Sequence, residues 1–506
     1  MTTTPKSSGL DGLAQAMALH RAGRAAEADL QYSAVLRAEP GQAQALRLQG
    51  ILARDLGDLD RSLKLLRKAS EAAPLDPEPA AELGLSYLAA GYLHLADSAF
   101  RQALTREPDS LKALANLGAL LQHRGHVQEA IECHRRVLAL DPDDLEVRCN
   151  LATTLVEAGR GDEALAECDV ALANAPGRPE LLATKGAVQV GLGQYAAAVP
   201  LLEAALEAGP DDMALLNLGL ACQQLARTGE AIAALEAAVR VNPDNARATA
   251  DLITLGSAAG RSAAALRLSD DFLQRHPGER LVLASRAVAL RDAGQVDAAR
   301  ELIDLEGLVR IRELPLPRGF GAREDFNAQL ASLVRSDPSL VPSPLSKATR
   351  GGAQTGELDP DSSPVFGAFR DTLNAELRHL IAELKKEGFK DHPVMAWAAD
   401  RWTLRIWGTV LSPGGHQLPH LHPLAWLSGV FYVAVPAGLG DDGALEFGGP
   451  PPRVQPRIAP ERRQVSARPG RLVLFPSWFW HRTLPFSQPG ERISLAFDVM
   501  PSRSRS

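Results

Sequence analysis

Near the C-terminus, three histidines, an arginine and a serine stand at spacings that could build a site. The stretch "PHLHPLAWLSGVFYV" holds His420 and His422 two residues apart, at the head of an apolar, β-rich run. Side chains on an extended chain repeat every two residues, so both imidazoles project from one face. Neutral imidazole is a ligand for divalent transition metals. A polar turn ahead of a strand would read the same over so short a stretch, so the pair needs company from elsewhere. His481 closes "RLVLFPSWFWH", and "ERISLAF" then places Arg492 and Ser494 on one face of a further apolar run. The order is His-x-His, a long gap, His, a short gap, then Arg-x-Ser. His416, in "PGGHQLPH", reads as a loop or rim residue, and Tyr432 as a buried strand tyrosine. Asp441, Asp442 and Glu446 are the nearest downstream carboxylates, and their spacing marks none of them as a ligand.

The elements that must position these residues are short strands. From Trp402 onward the pattern is "RWTLRIWGTVL", "WLSGVFYVAV", "GALEF", "RLVLFPSW" and "RISLAFDV", separated by Gly, Pro and Asp-Asp-Gly. Several short strands with turn signals between them predict a β-sandwich or barrel. Ahead of them, "DFNAQLASLVRSDPSL" and "VFGAFRDTLNAELRHLIAELKKEGF" carry helical periodicity. Between those helices, "SKATRGGAQTGELDPDSSP" is rich in Gly and Ser and is expected to be a surface loop. All six Trp lie after residue 390 and are expected to be core.

The first 300 residues follow another rule. Prolines recur at Pro40, Pro74, Pro108, Pro142, Pro176, Pro210, Pro243 and Pro277, every 33 or 34 residues. Glycines keep the same beat at Gly23, Gly57, Gly91, Gly125, Gly159, Gly193, Gly260 and Gly294, and a small residue follows each by five. Between two prolines there is room for two helices and two tight turns. The glycine ends the first helix where φ is positive, and the proline stops the second. A glycine is missing near Ala226, which marks one irregular turn. His123, His126 and His134 fall inside the repeats and read as helix-face residues.

The unit "PAAELGLSYLAAGYLHLADSAFRQALTREP" closely resembles the tetratricopeptide repeat (TPR). About nine repeats run over residues 8–309. The resemblance implies an all-α superhelical solenoid whose concave face takes a protein or peptide partner.

The C-terminal layout resembles Fe(II)-dependent, 2-oxoglutarate-dependent oxygenases. "HPLAWLSGVFYVAVP", "GALEF", "GRLVLFPSWFWHRTLP" and "ERISLAF", with "ATRGGAQTGEL" upstream, look like the oxygenase family found at the C-terminus of some bacterial TPR proteins. The resemblance covers about residues 315 to 500 and places a domain at 310–506. It implies a mainly β, double-stranded β-helix, a jelly-roll-like pair of sheets with flanking helices. It also implies Fe(II) on His420, His422 and His481, with 2-oxoglutarate as cosubstrate. Arg492 would take the distal carboxylate, Ser494 would assist, and O2 would be the oxidant. One position departs from the pattern. The usual motif is His-x-Asp or His-x-Glu, whereas here the second member is His422. Either a third imidazole ligates iron, or His422 swings away and leaves two histidines and waters.

Composition limits the other readings. With 54 basic against 61 acidic residues and a net charge of -7, the chain shows no electrostatic footprint for nucleic acid. No apolar run of about 18 residues exists to span a membrane. "MTTTPKSSG" lacks the apolar core of a secretory leader, and a cytoplasmic protein is expected. The four cysteines, Cys133, Cys149, Cys168 and Cys222, have no CxxC spacing and read as small buried residues. The functional expectation is hydroxylation of a protein or peptide recruited by the repeats. The rivals are a TPR adaptor with an inactive oxygenase-like domain, and an oxygenase acting on a small metabolite. Since every candidate ligand lies after residue 310, residues 311–506 alone are expected to bind iron and 2-oxoglutarate.

Overall fold

The computed structural model describes residues 9–342, 347–359, 361–399 and 401–501. The N-terminal stretch read for a leader falls outside them. Among the described residues, eighteen helices, from α1 (Gly9–Arg21) to α18 (Val296–Leu302), follow in nine consecutive pairs. Every turn glycine of the repeat sits at φ between +72° and +82°. In the irregular repeat Ala226 takes that place at φ +58°, so an L-residue carries the strain that glycine avoids elsewhere. The small residue five positions later is buried each time, as at Ala96, Ala130, Ala198 and Ala231.

A second glycine explains how each pair closes. A Cβ at Gly84 would lie 2.5 Å from Phe100, one at Gly186 2.7 Å from Leu202 and one at Gly219 2.8 Å from Leu235. Each first helix thus leaves a hole that a side chain sixteen residues later fills. At Gly118 the filler is His134, fully buried between α7 (Leu111–Arg124) and α8 (Val127–Leu140), not on an exposed helix face.

The chain divides into two compact units. One is Met1–Arg124 with Gln128–Leu151, and the other is Gly125–Val127 with Ala152–Ser506. The second unit holds the later repeats and the β-rich region together. After α19 (Leu305–Leu308) come β1 (Arg310–Glu313), α20 (Arg323–Ser336), β2 (Val341–Pro342), β3 (Thr349–Gln354) and α21 (Pro364–Lys386). Then follow β4 (Trp402–Gln417), β5 (Leu427–Ala434), β6 (Leu445–Phe447), β7 (Arg463–Val465), β8 (Arg471–Pro476), β9 (His481–Thr483) and β10 (Arg492–Pro501). They form an antiparallel seven-stranded sheet, β1-β8-β5-β10-β4-β3-β2, and a three-stranded sheet, β7-β6-β9. Helices α20 and α21 pack against the larger sheet. Val334 fills the space left by Gly408, Asn327 donates to the Val433 carbonyl at 2.9 Å, and the rings of Phe369 and Phe431 lie 5.3 Å apart.

The Gly-rich stretch expected to be a loop contains β3, which pairs with β4; Pro360 and Ser346 within that stretch lie outside the described residues. Its glycines make the strand possible. Gly351 has φ +64°, and a Cβ at Gly352 would stand 2.4 Å from the Val410 carbonyl oxygen. The strand can therefore lie against β4 only if both positions lack side chains.

Candidate metal centre

Strand β10 carries two faces with different chemistry. Ile493, Leu495, Phe497 and Val499 are fully buried in the core. The alternate residues Arg492, Ser494 and Ala496 line a cavity. The smaller sheet contributes His481, Thr483 and Leu445 to the same cavity, and β4 contributes Trp407, Thr409 and Gln417. His420 and His422 complete it from the segment between β4 and β5. The cavity therefore lies between the two sheets.

Two backbone hydrogen bonds tie the histidine segments together. His420 N–H donates to the His481 carbonyl at 3.0 Å, and His481 N–H returns to the His420 carbonyl at 3.0 Å. His422 N–H bonds the Ser477 carbonyl, also at 3.0 Å. The three ring centroids stand 4.3, 5.2 and 5.1 Å apart, and one nitrogen from each ring lies within 4.8 Å of the others. His422 has not swung away; its ring stacks on Trp407 at 5.5 Å.

Hydrogen bonding selects which nitrogen each ring presents. His420 Nδ1 faces the Leu418 carbonyl at 2.8 Å, His481 Nδ1 the Phe479 carbonyl at 2.9 Å, and His422 Nδ1 the Asp498 carboxylate at 2.6 Å. None of these oxygens can donate, so each Nδ1 carries a proton and Nε2 is the nitrogen left to face the cavity. His422 Nε2 is buried with no hydrogen-bond partner among the described residues. Burial, with the neighbouring His422 ring, pushes the His420 pKa down to about 3. Burial and the other two rings hold His481 well below the ordinary histidine range. Three imidazole nitrogens that converge in this way, with His420 and His481 held neutral, suit a divalent metal, so these residues fit the iron that the sequence resemblance implies.

Arg492 is the second feature. It is 2 % exposed, its guanidinium lies 4.9 Å over the Tyr432 ring, and no carboxylate pairs with it among the described residues. Its Nε has no partner there, and neither does the buried hydroxyl of Tyr432 or of Thr409. A buried guanidinium without a counter-charge is costly unless an anion arrives from outside. Tyr432 is buried, as its strand position suggested.

Other expectations fare differently. Glu446 points away from the cavity into an ion-pair cluster with Arg462 at 2.8 Å and Arg482 at 2.7 Å. His416 turns Nδ1 to the Gly414 carbonyl at 3.1 Å and does not line the cavity. Trp426 and Trp478 are core, but Trp407 belongs to the site wall. Asp498 was missed, although it continues the alternation begun by Arg492. So was the chain of hydrogen bonds from Thr483 to Gln417 (2.9 Å), Thr349 (3.3 Å) and Gln354 (2.8 Å), which ties β3 to the cavity wall.

The last repeats also reach this site. Arg280, which opens α17 (Arg280–Asp292), donates to the carbonyls of Pro423 at 2.9 Å and Leu424 at 2.8 Å, just after His422. The proline-rich strap between β6 and β7 lies on repeat helices. Arg453 pairs with Asp251 at 2.9 Å, and Asp292 accepts from the backbone of Arg457 and Ile458 at 2.7 and 3.0 Å. Gly448, at the base of the strap, bonds the Trp480 carbonyl beside His481 at 2.8 Å.

Comparison with known proteins agrees with these parts. Residues 405–498 match the family described as "Putative 2OG-Fe(II) oxygenase". Residues 13–77, 82–144 and 184–246 match one tetratricopeptide-repeat family, and residues 124–188 match another. No curated protein matches the chain. Among solved structures, a tetratricopeptide repeat protein from Parabacteroides merdae is 16 % identical, with a TM-score of 0.41, covering 46 % of this chain and 93 % of that one. YrrB, described as a TPR protein with an unusual peptide-binding site, is 21 % identical at a TM-score of 0.32, covering 36 % and 95 %. MamA is 20 % identical at 0.31, covering 33 % and 90 %. The chain thus joins TPR repeats to a C-terminal domain that matches the oxygenase family.

Proposed function

We propose that this chain is a 2-oxoglutarate- and Fe(II)-dependent oxygenase that hydroxylates a protein or peptide brought to it by its repeats. One observation carries the reading: three imidazole Nε2 atoms and an unpaired, buried arginine converge on one cavity. His420, His422 and His481 would hold the metal through Nε2. Arg492 would bind the distal carboxylate of the keto acid by a charge-assisted contact, and a planar fork suits that partner better than a point charge. The hydroxyls of Thr409 and Ser494 would offer further donors in the same cavity, and Tyr432 lies under the Arg492 guanidinium. Trp407, Val430, Leu445, Phe475 and Ala496 enclose the site and keep water away from it. O2 would be the oxidant, with bound iron supplying the redox chemistry: one oxygen atom would go to the substrate and the other to succinate as 2-oxoglutarate loses CO2. The protein residues need only hold, orient and shield, so no separate acid or base is required.

The replacement of a carboxylate by His422 favours a second reading, an adaptor with a silent oxygenase-like domain. Succinate formation from 2-oxoglutarate by the purified full chain separates the two. An oxygenase yields slow, iron-dependent succinate even without its target, and His481→Ala abolishes it. An adaptor yields none.

A further inference from the structure

Of the three imidazoles in the cavity, two lean on backbone carbonyls and one leans on a carboxylate. We propose that Asp498 is a positioning residue that acts on the metal through His422, lending that ring the negative charge which a carboxylate ligand would otherwise bring. The inference rests on the iron-site reading and deepens it.

The placement is specific. Asp498 lies on β10 in the series Arg492, Ser494, Ala496, Asp498, so the strand that offers a cation to the keto acid also offers an anion behind the metal. Its Oδ1 lies 2.6 Å from His422 Nδ1 and accepts from Ser428 Oγ at 2.6 Å. Both side chains are mostly buried, at 12 % exposure for His422 and 14 % for Asp498. The serine fixes the carboxylate, the carboxylate fixes the ring's tautomer and angle, and Trp407 supports the ring face. A carboxylate behind a ligating imidazole raises the basicity of the far nitrogen more than a neutral carbonyl does. Three neutral ligands would leave the metal with more net positive charge than the usual two histidines and one carboxylate. Asp498 restores that unit of charge one ring further out, while three nitrogens remain the atoms that would touch the metal.

The test is Co(II) titration of the full chain, followed by its visible ligand-field bands. Asp498→Asn keeps an oxygen acceptor for Nδ1–H and removes the charge. It is expected to weaken Co(II) binding by about 10- to 100-fold and to shift the bands. Asp498→Glu should recover part of both. In a His422→Ala background, which is expected to keep weak binding by the other two rings, Asp498→Asn should have no further effect. Unchanged affinity and spectrum in Asp498→Asn would overturn the proposal, as would an equal loss with and without His422. A wild-type chain that takes up neither Co(II) nor Fe(II) would overturn the iron site itself, and this inference with it.

Discussion

At the scale of the residue, the candidate site was legible where chemistry and period coincide. His-x-His on an extended segment, a later His and Arg-x-Ser could be read because each pair shares a face at period two. Asp498 was hidden because an aspartate at the end of a hydrophobic strand reads as a chain-end polar residue until its partner is known. The wall residues Trp407 and Thr409 were hidden for a related reason: only strand pairing decides which face of β4 meets the cavity. Arg492→Gln should raise the KM for 2-oxoglutarate by at least tenfold, since one lost charge-assisted contact is worth about 1.5–3 kcal/mol and about 1.4 kcal/mol is one decade. Iron affinity, measured in parallel, should hold steady; an unchanged KM would assign the role to another cation. His134 makes a separate prediction. Burial lowers its pKa from 6.5 to about 4, and neither ring nitrogen has a partner among the described residues. Unfolding therefore takes up a proton below about pH 6.5, and stability falls as the pH drops from there toward the folded value. Between pH 7.5 and 5 the loss should be about 2 kcal/mol. His134→Leu puts there the residue that fills the same hole at Leu66, Leu202 and Leu235. Thermal unfolding at both pH values should show a more stable variant with a smaller acid loss in the first repeats.

At the scale of the element, the repeats were the most readable part, because proline, glycine and a small residue each enforce a local conformation that recurs with the period. The irregular turn was visible as a missing glycine, and its geometry now explains it: the turn keeps its left-handed residue and places Ala226 there. Ala226→Gly should stabilise the chain by about 1 kcal/mol, read as a raised urea midpoint, because alanine in that region is strained and glycine is not. An unchanged or lower midpoint would mean that the entropy of the added glycine in the unfolded chain outweighs the strain. The β-region was less readable. The run that includes β3 has loop composition, and only its neighbour β4 reveals that two glycines serve close strand approach. The strap between β6 and β7 has the composition of a solvent loop as well, yet it is held by Asp251 and Asp292 on repeat helices.

At the scale of the whole molecule, a simple division of labour needs amending. The sequence places every candidate ligand after residue 310, which suggested that residues 311–506 suffice for iron binding. In the structure, the hydrophobic core of the β-region continues through Leu283, Leu290, Leu302, Leu305, Leu308 and Val309, and Arg280 supports the turn after His422. This was not legible because such contacts join residues more than a hundred positions apart. A chain of residues 145–506, which keeps the later repeats, should bind Fe(II) and 2-oxoglutarate as the full chain does. Residues 311–506 should bind them at least tenfold more weakly or fail to stay soluble. Equal binding by a soluble 311–506 fragment would restrict the repeats to recruitment. Anaerobic titration of the full chain with Fe(II) and then 2-oxoglutarate shows whether three imidazoles and Arg492 form one iron and 2-oxoglutarate site. One equivalent of iron is expected, with a visible charge-transfer band that saturates with the keto acid, is absent in His481→Ala and needs far more 2-oxoglutarate in Arg492→Gln. Stoichiometric iron in His481→Ala with the same band, or no band from the wild-type chain at any concentration of the keto acid, would contradict that assignment.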